Sequence, residues 1–138
     1  MSDGQRQFAG GELGLDHWGI SVPSLDASIA WYSEMLGFAE VRRFEIPKAG
    51  ARAAIIRRGA LDIEVFEVES ASPLPPGRSI PNEDIRTHGV KHVALVVEDR
   101  QALLDYLSTR GVEMVFRGIK GAFILDNAGN IIELMERE

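Results

Sequence analysis

Residues 63–67 read Ile-Glu-Val-Phe-Glu and residues 132–136 read Ile-Glu-Leu-Met-Glu. Each phrase closes a stretch that a histidine opens, His17 in one case and His92 in the other, at the head of an alternating apolar run. A chain of 138 residues written twice in this way is too short for two independent cores, so the two copies must share one. Doubling also puts His17 beside Glu64 and His92 beside Glu133 in equivalent places, a set of two imidazoles and two carboxylates suited to a divalent cation.

The alternation supplies the local structure. Residues 15–22 read as a strand with Trp18, Ile20 and Val22 on one face and His17, Gly19 and Ser21 on the other. Ser24 or Asp26 can cap a helix that carries Leu25, Ile29, Tyr32 and Leu36 and stops at Gly37. Three strand-like runs follow, 38–46, 51–58 and 61–68, so the first half reads β-α-β-β-β. Four of the six prolines fall in 70–87, which suits a surface connection. The order then repeats: a strand at 90–97, a helix capped by Asp99 with Leu103, Tyr106 and Leu107, and strands at 113–116, 122–125 and 130–135. Residues 126–129 form the last turn. The expected organisation is a flexible start over 1–14 and one domain over 15–136, made of module one (15–69), a connection (70–89) and module two (90–136).

Glu64 lies between Ile63 and Val65 as Glu133 lies between Ile132 and Leu134. If those apolar neighbours pack under the helices, both carboxylates face the opposite side of the sheet, where His17 and His92 also point. All four are then expected in one cavity, with Phe66 and Met135 as apolar wall. A lone histidine at a strand start is ordinarily structural, and it is the repeated pairing that makes a metal centre the better reading. Glu67 and Glu136 share the parity of the apolar face and read as strand-end structural carboxylates. Trp31 and Tyr32 recur with Leu36 at helical spacing and read as core.

The absence of cysteine removes disulfides, thiolate nucleophiles and cysteine-held zinc. A net charge of −6 without a basic stripe argues against nucleic acid. No apolar run approaches the roughly 20 residues of a membrane-spanning helix. The expectation is therefore a cytoplasmic protein acting on a small molecule.

Residues 15–22, the helix end Trp31-Tyr32 with Leu36-Gly37-Phe38, and the stretches 89–95 and 126–134 together resemble the vicinal oxygen chelate superfamily, which includes glyoxalase I, methylmalonyl-CoA epimerase, extradiol dioxygenases, fosfomycin-resistance enzymes and bleomycin-binding proteins. The resemblance implies an α+β fold of two βαβββ modules forming an eight-stranded open barrel, often as a homodimer. It places the metal ligands at His17, Glu64, His92 and Glu133. One divalent ion per site is implied, Zn, Ni, Co, Mn or Fe. The full His-Glu-His-Glu set is similar to that of glyoxalase I and of some epimerases more than to that of the dioxygenases, which implies a metal-dependent lyase or isomerase that moves a proton beside a chelated carbonyl through an enediolate. Glu64 and Glu133 are then the candidate catalytic bases, and the substrate a 2-oxoaldehyde thiol adduct or an acyl-CoA.

Three other functions fit the same resemblance. Residues 45–50 are similar to an epimerase turn, although the glycine-rich, histidine-bearing loop expected before the seventh strand is missing. An iron-dependent ring-cleaving dioxygenase would use His17, His92 and Glu133. A drug- or metabolite-binding protein would need no chemistry in the cavity. Among the strand arginines, Arg43 and Arg52 are the guesses for holding a substrate carboxylate or phosphate. The sequence leaves open whether one chain or two complete the cavity.

Overall fold

The computed structural model describes residues 8–138, so residues 1–7 of the expected flexible start lie outside the described residues. The element order is β1 (Trp18–Ser21), α1 (Leu25–Leu36), β2 (Ala39–Ile46), β3 (Ala51–Arg58) and β4 (Leu61–Val68), then α2 (Pro81–Asp84), β5 (Val93–Val97), α3 (Arg100–Ser108), β6 (Phe116–Arg117), β7 (Ala122–Leu125) and β8 (Ile131–Glu136). The strands form two four-stranded sheets with the same order, β1-β4-β3-β2 and β5-β8-β7-β6. In each, the first strand of the half runs parallel to the last, and the remaining pairs are antiparallel. The α+β fold class and the doubled βαβββ order are those expected. The eight strands stay in two separate open sheets, not in one continuous ladder.

Strand ends differ from the sequence reading. β1 and β5 begin at Trp18 and Val93, so His17 and His92 each stand immediately before a strand. The expected strand at 113–116 shrinks to Phe116–Arg117.

Helix α1 begins where Ser24 accepts a hydrogen bond from the Ala27 N–H and ends at Gly37, whose φ of 72° is the left-handed conformation that glycine adopts freely. Its apolar stripe of Leu25, Tyr32 and Leu36 packs with Ala54, Ile56, Ile63 and Val65 of the first sheet and Ile124, Ile132 and Leu134 of the second. Leu107 of α3 joins the same cluster. Both sheets thus bury their helix-facing sides in one core, each fully buried Leu or Ile contributing about 1.5–3 kcal/mol.

A polar latch crosses that core. Tyr32 is buried, and its hydroxyl donates to Asp126 Oδ2 at 2.6 Å. Burial and the neighbouring carboxylate push the phenol pKa strongly upward, so the hydroxyl stays protonated and serves as a permanent donor. Asp126 also accepts from the backbone N–H groups of Ala128 and Asn130, both at 2.9 Å, which fixes the β7–β8 turn. Ser28 adds a bond to Asn127 of the same turn. Tyr32→Phe removes one donor from a buried carboxylate and is expected to cost about 1–3 kcal/mol in urea unfolding. An unchanged midpoint would show that the latch contributes nothing to stability.

Residues 70–89, read from the sequence as a surface connection, hold a 3₁₀ turn at Pro76–Ser79 and the short helix α2, and they bury Asp84. Asp84 Oδ1 lies 2.5 Å from Arg78 Nε and 3.3 Å from Lys91 Nζ. Lys91 also donates to the carbonyls of Asp84 and Thr87, which ties the connection to the residue preceding His92.

Candidate metal centre

The register places the two halves of the site identically. Gly19 stands opposite Glu64 in the β1–β4 pair and Ala94 stands opposite Glu133 in the β5–β8 pair. Because Ile63 and Val65, like Ile132 and Leu134, are buried toward the helices, each glutamate points to the other side of its sheet. There His17 Nε2 lies 3.4 Å from Glu64 Oε1, and His92 Nε2 lies 3.0 Å from Glu133 Oε1. Both glutamate side chains are partly buried, 23% exposed for Glu64 and 19% for Glu133.

The four side chains come together as two pairs. Among the described residues no three His or acidic side chains gather closely enough to hold one ion. The expectation of a single cavity lined by all four is therefore not met within one chain. The physical reason lies in the core: the two sheets are joined through their helix-facing sides, so the faces carrying the pairs are left open to solvent. Gly19, Ser21 and Ala94 are exposed there, and so is Val96 at 57%.

Each pair has its own second neighbour. His17 Nδ1 lies 2.7 Å from Asp16 Oδ1, and this hydrogen bond is the main cause that raises the His17 pKa above its usual value, with Glu64 adding to it. A carboxylate on Nδ1 leaves Nε2 as the ligating nitrogen once the ring is neutral. His92 instead sets its ring edge against Phe123, centroids 5.2 Å apart, with Phe116 behind. Gly121 lies against Glu133: a Cβ built at Gly121 would come within 1.9 Å of Glu133 Oε2 and 2.4 Å of its Cγ. Only glycine leaves room for that carboxylate beside His92, a constraint the alternation pattern could not reveal.

The arginines chosen from sequence face the other way. Arg43 is opposite Ala54 and Arg52 opposite Glu67, both rows on the helix side of the sheet. Arg43 pairs with Asp26 of α1 at 2.7 Å and with Glu40 at 2.9 Å. Arg52 pairs with Glu67 at 2.7 Å. Both line a groove of about 210 Å³ with Leu25 and Phe44, away from the histidine–glutamate pairs. Glu67 accepts the N–H of Leu25 at 2.8 Å, at the start of α1. That bond first, and Arg52 second, hold the Glu67 carboxyl below its ordinary pKa. Glu67 is thus the structural carboxylate that its position suggested.

The doubled βαβββ unit, with a His–Glu pair on the open face of each sheet, defines the class of fold to which the chain belongs. The family model described as Glyoxalase/Bleomycin resistance protein/Dioxygenase superfamily matches residues 16–128, and the chain belongs to that superfamily. Among solved structures, the trypanothione-dependent glyoxalase I of Leishmania major is 22% identical with a TM-score of 0.72, over 91% of this chain and 87% of that one. A glyoxalase family protein from Enterococcus faecalis is 22% identical with a TM-score of 0.73, over 89% and 97%. The fosfomycin resistance protein FosX from Listeria monocytogenes is 16% identical with a TM-score of 0.64, over 91% and 92%. At these identities the likeness speaks for the fold. No curated protein matches the sequence. No helix among the described residues is long and apolar enough to cross a membrane.

Proposed function

We propose that this chain is a divalent-metal-dependent lyase or isomerase of the glyoxalase I type, with His17, Glu64, His92 and Glu133 as metal ligands and Glu64 and Glu133 as the groups that move the proton. The observation that carries the reading is the repetition of one His–Glu pair, Nε2 against Oε1, at the same register position of two equivalent sheets. Two carboxylates and two neutral imidazoles balance a doubly positive ion, and His with carboxylate ligands suit Zn, Ni, Co, Mn or Fe. A second copy that set its His92–Glu133 face over the His17–Glu64 face would complete the quartet, and the exposed inner faces are the surfaces available for this. We therefore expect a homodimer.

A bound cation would polarise a substrate carbonyl and acidify the adjoining C–H. The chain's own residues do the rest. Asp16 fixes the tautomer of His17, and the Phe116–Phe123 pair backs His92. The glutamates are the groups assigned to take the proton from one carbon and return it to its neighbour. Trypanothione dependence is a property of the Leishmania enzyme, and it supports a thiol adduct of a 2-oxoaldehyde as the first substrate to test.

The test is proton exchange in D₂O with the hemithioacetal of methylglyoxal and a thiol, after loading the protein with each of the five cations in turn. Metal-dependent product formation is expected, with Glu64→Gln or Glu133→Gln slowing it by roughly 10²-fold or more. If no cation is taken up, or the substrate keeps its ¹H and stays unconverted with all five, the reading fails.

A further inference from the structure

Strand β2 pairs regularly with β3 except at one place, where the register shifts between Glu40 and Arg42. Glu40 stands opposite Ile56 and Arg42 opposite Ile55, so Val41 has no cross-strand partner. A bulge of this kind adds one residue to a strand and turns the following side chains to the other face. Without it, Val41 would oppose Ile55 and Arg42 would oppose Ala54 on the helix side. With it, Arg42 falls in a single row across the sheet with Ile55, Glu64 and Gly19. The next row on the same face is Phe44, Ala53, Phe66 and Ser21.

The bulge therefore delivers a cation to the face that bears Glu64 and His17. The Arg42 guanidinium lies 4.9 Å from the Phe44 ring centroid, an arrangement that holds its plane in place. Among the described residues no carboxylate pairs with it, whereas Arg43, Arg52 and Arg57 are each engaged by an acidic side chain. Arg57 is on the same face, but its fork is occupied by Asp62 at 2.6 and 2.9 Å. Between Arg42 and Glu64 lies Ile55, which is buried. Two strand spacings separate their backbones, about 10 Å.

From this we infer that Arg42 anchors an anionic group at the far end of the substrate. The substrate class is a molecule whose oxygens engage the metal centre and whose carboxylate or phosphate lies about 10 Å away across an apolar segment. Guanidinium and carboxylate or phosphate match fork to fork, which gives direction as well as affinity. The inference rests on the proposed metal centre for the other end of the substrate. It does not depend on whether the His92–Glu133 pair comes from the same chain or from a second copy, because Arg42 belongs to the half carrying Glu64.

The test uses two probes on the metal-loaded protein: an alkyl hydroxamate whose chain of six methylenes ends in a carboxylate, and the methyl ester of the same compound. Calorimetry should show the wild-type protein preferring the acid by roughly tenfold. Arg42→Gln should abolish that preference while metal uptake and ester affinity stay unchanged, and Arg42→Lys should keep part of it. A phosphonate-ended hydroxamate measured alongside separates carboxylate from phosphate as the preferred anion. Equal affinity of the wild-type protein for acid and ester, or the same preference in Arg42→Gln, overturns the proposal. A wild-type protein that takes up no metal and binds neither probe overturns the metal-centre reading, and this proposal with it.

Discussion

Gly121→Ala is expected to drive the Glu133 carboxylate away from His92 and to weaken divalent-ion binding at the proposed centre by roughly tenfold or more. A Cβ 1.9 Å from Oε2 and 2.5 Å from Cδ cannot coexist with the present side-chain position, and Gly121 itself is buried. The methyl cannot retreat, because the Gly118 N–H bonds the Gly121 carbonyl at 2.9 Å and Arg100 holds the Lys120 carbonyl at 2.6 Å. Glu133 must move instead. The overlap should cost about 1–3 kcal/mol in unfolding free energy, and the same substitution in a Glu133→Ala background should cost close to nothing. This cycle needs no metal and isolates the contact. If Gly121→Ala destabilises both backgrounds equally, the glycine serves the backbone and not the carboxylate.

Asp84→Ala should be the most damaging of the single-charge removals. The carboxylate is 1% exposed and holds Arg78 at 2.5 Å while facing Lys91. Its loss leaves two cations at the junction of the connecting segment and β5 without their counter-charge, at a cost of about 3 kcal/mol or more. For a domain of this size that is a fall in Tm of about 10 °C. Because Lys91 adjoins His92, a drop in affinity at the proposed metal centre should accompany the fall. A Tm within a degree or two of wild type would show that the cluster relaxes into water when Asp84 is removed.

Much of this architecture can be read from alternation alone. The burial of Ile63, Val65, Ile132 and Leu134 is carried by period-two parity, which also directs Glu64 and Glu133 to the opposite face. The limits of helix α1 follow from Ser24 and Gly37. Parity fails where a strand is interrupted: the bulge at Val41 reverses the faces of Arg42 and Arg43, so an unbroken count from Glu40 would put Arg43, which binds Asp26, on the wrong face. Buried polar partners are equally hidden, since Tyr32 and Asp126 lie 94 positions apart and only the folded core brings them together. The same holds for Asp84, which sits in a proline-rich stretch that composition marks as surface. Whether the four candidate ligands meet is a matter of how two sheets are placed relative to each other, and no pattern within a strand encodes that.

The shared core has a consequence for how a doubled chain of this kind could arise. The apolar side of each sheet is covered in part by residues from the other half, with Tyr32, Leu36 and Leu107 at the seam. A half-length precursor would have lacked that cover and exposed a greasy layer too large for a soluble monomer of about 70 residues. Such a half would need a twin pressed against it to cover that layer, and joining two halves in one chain makes that cover permanent.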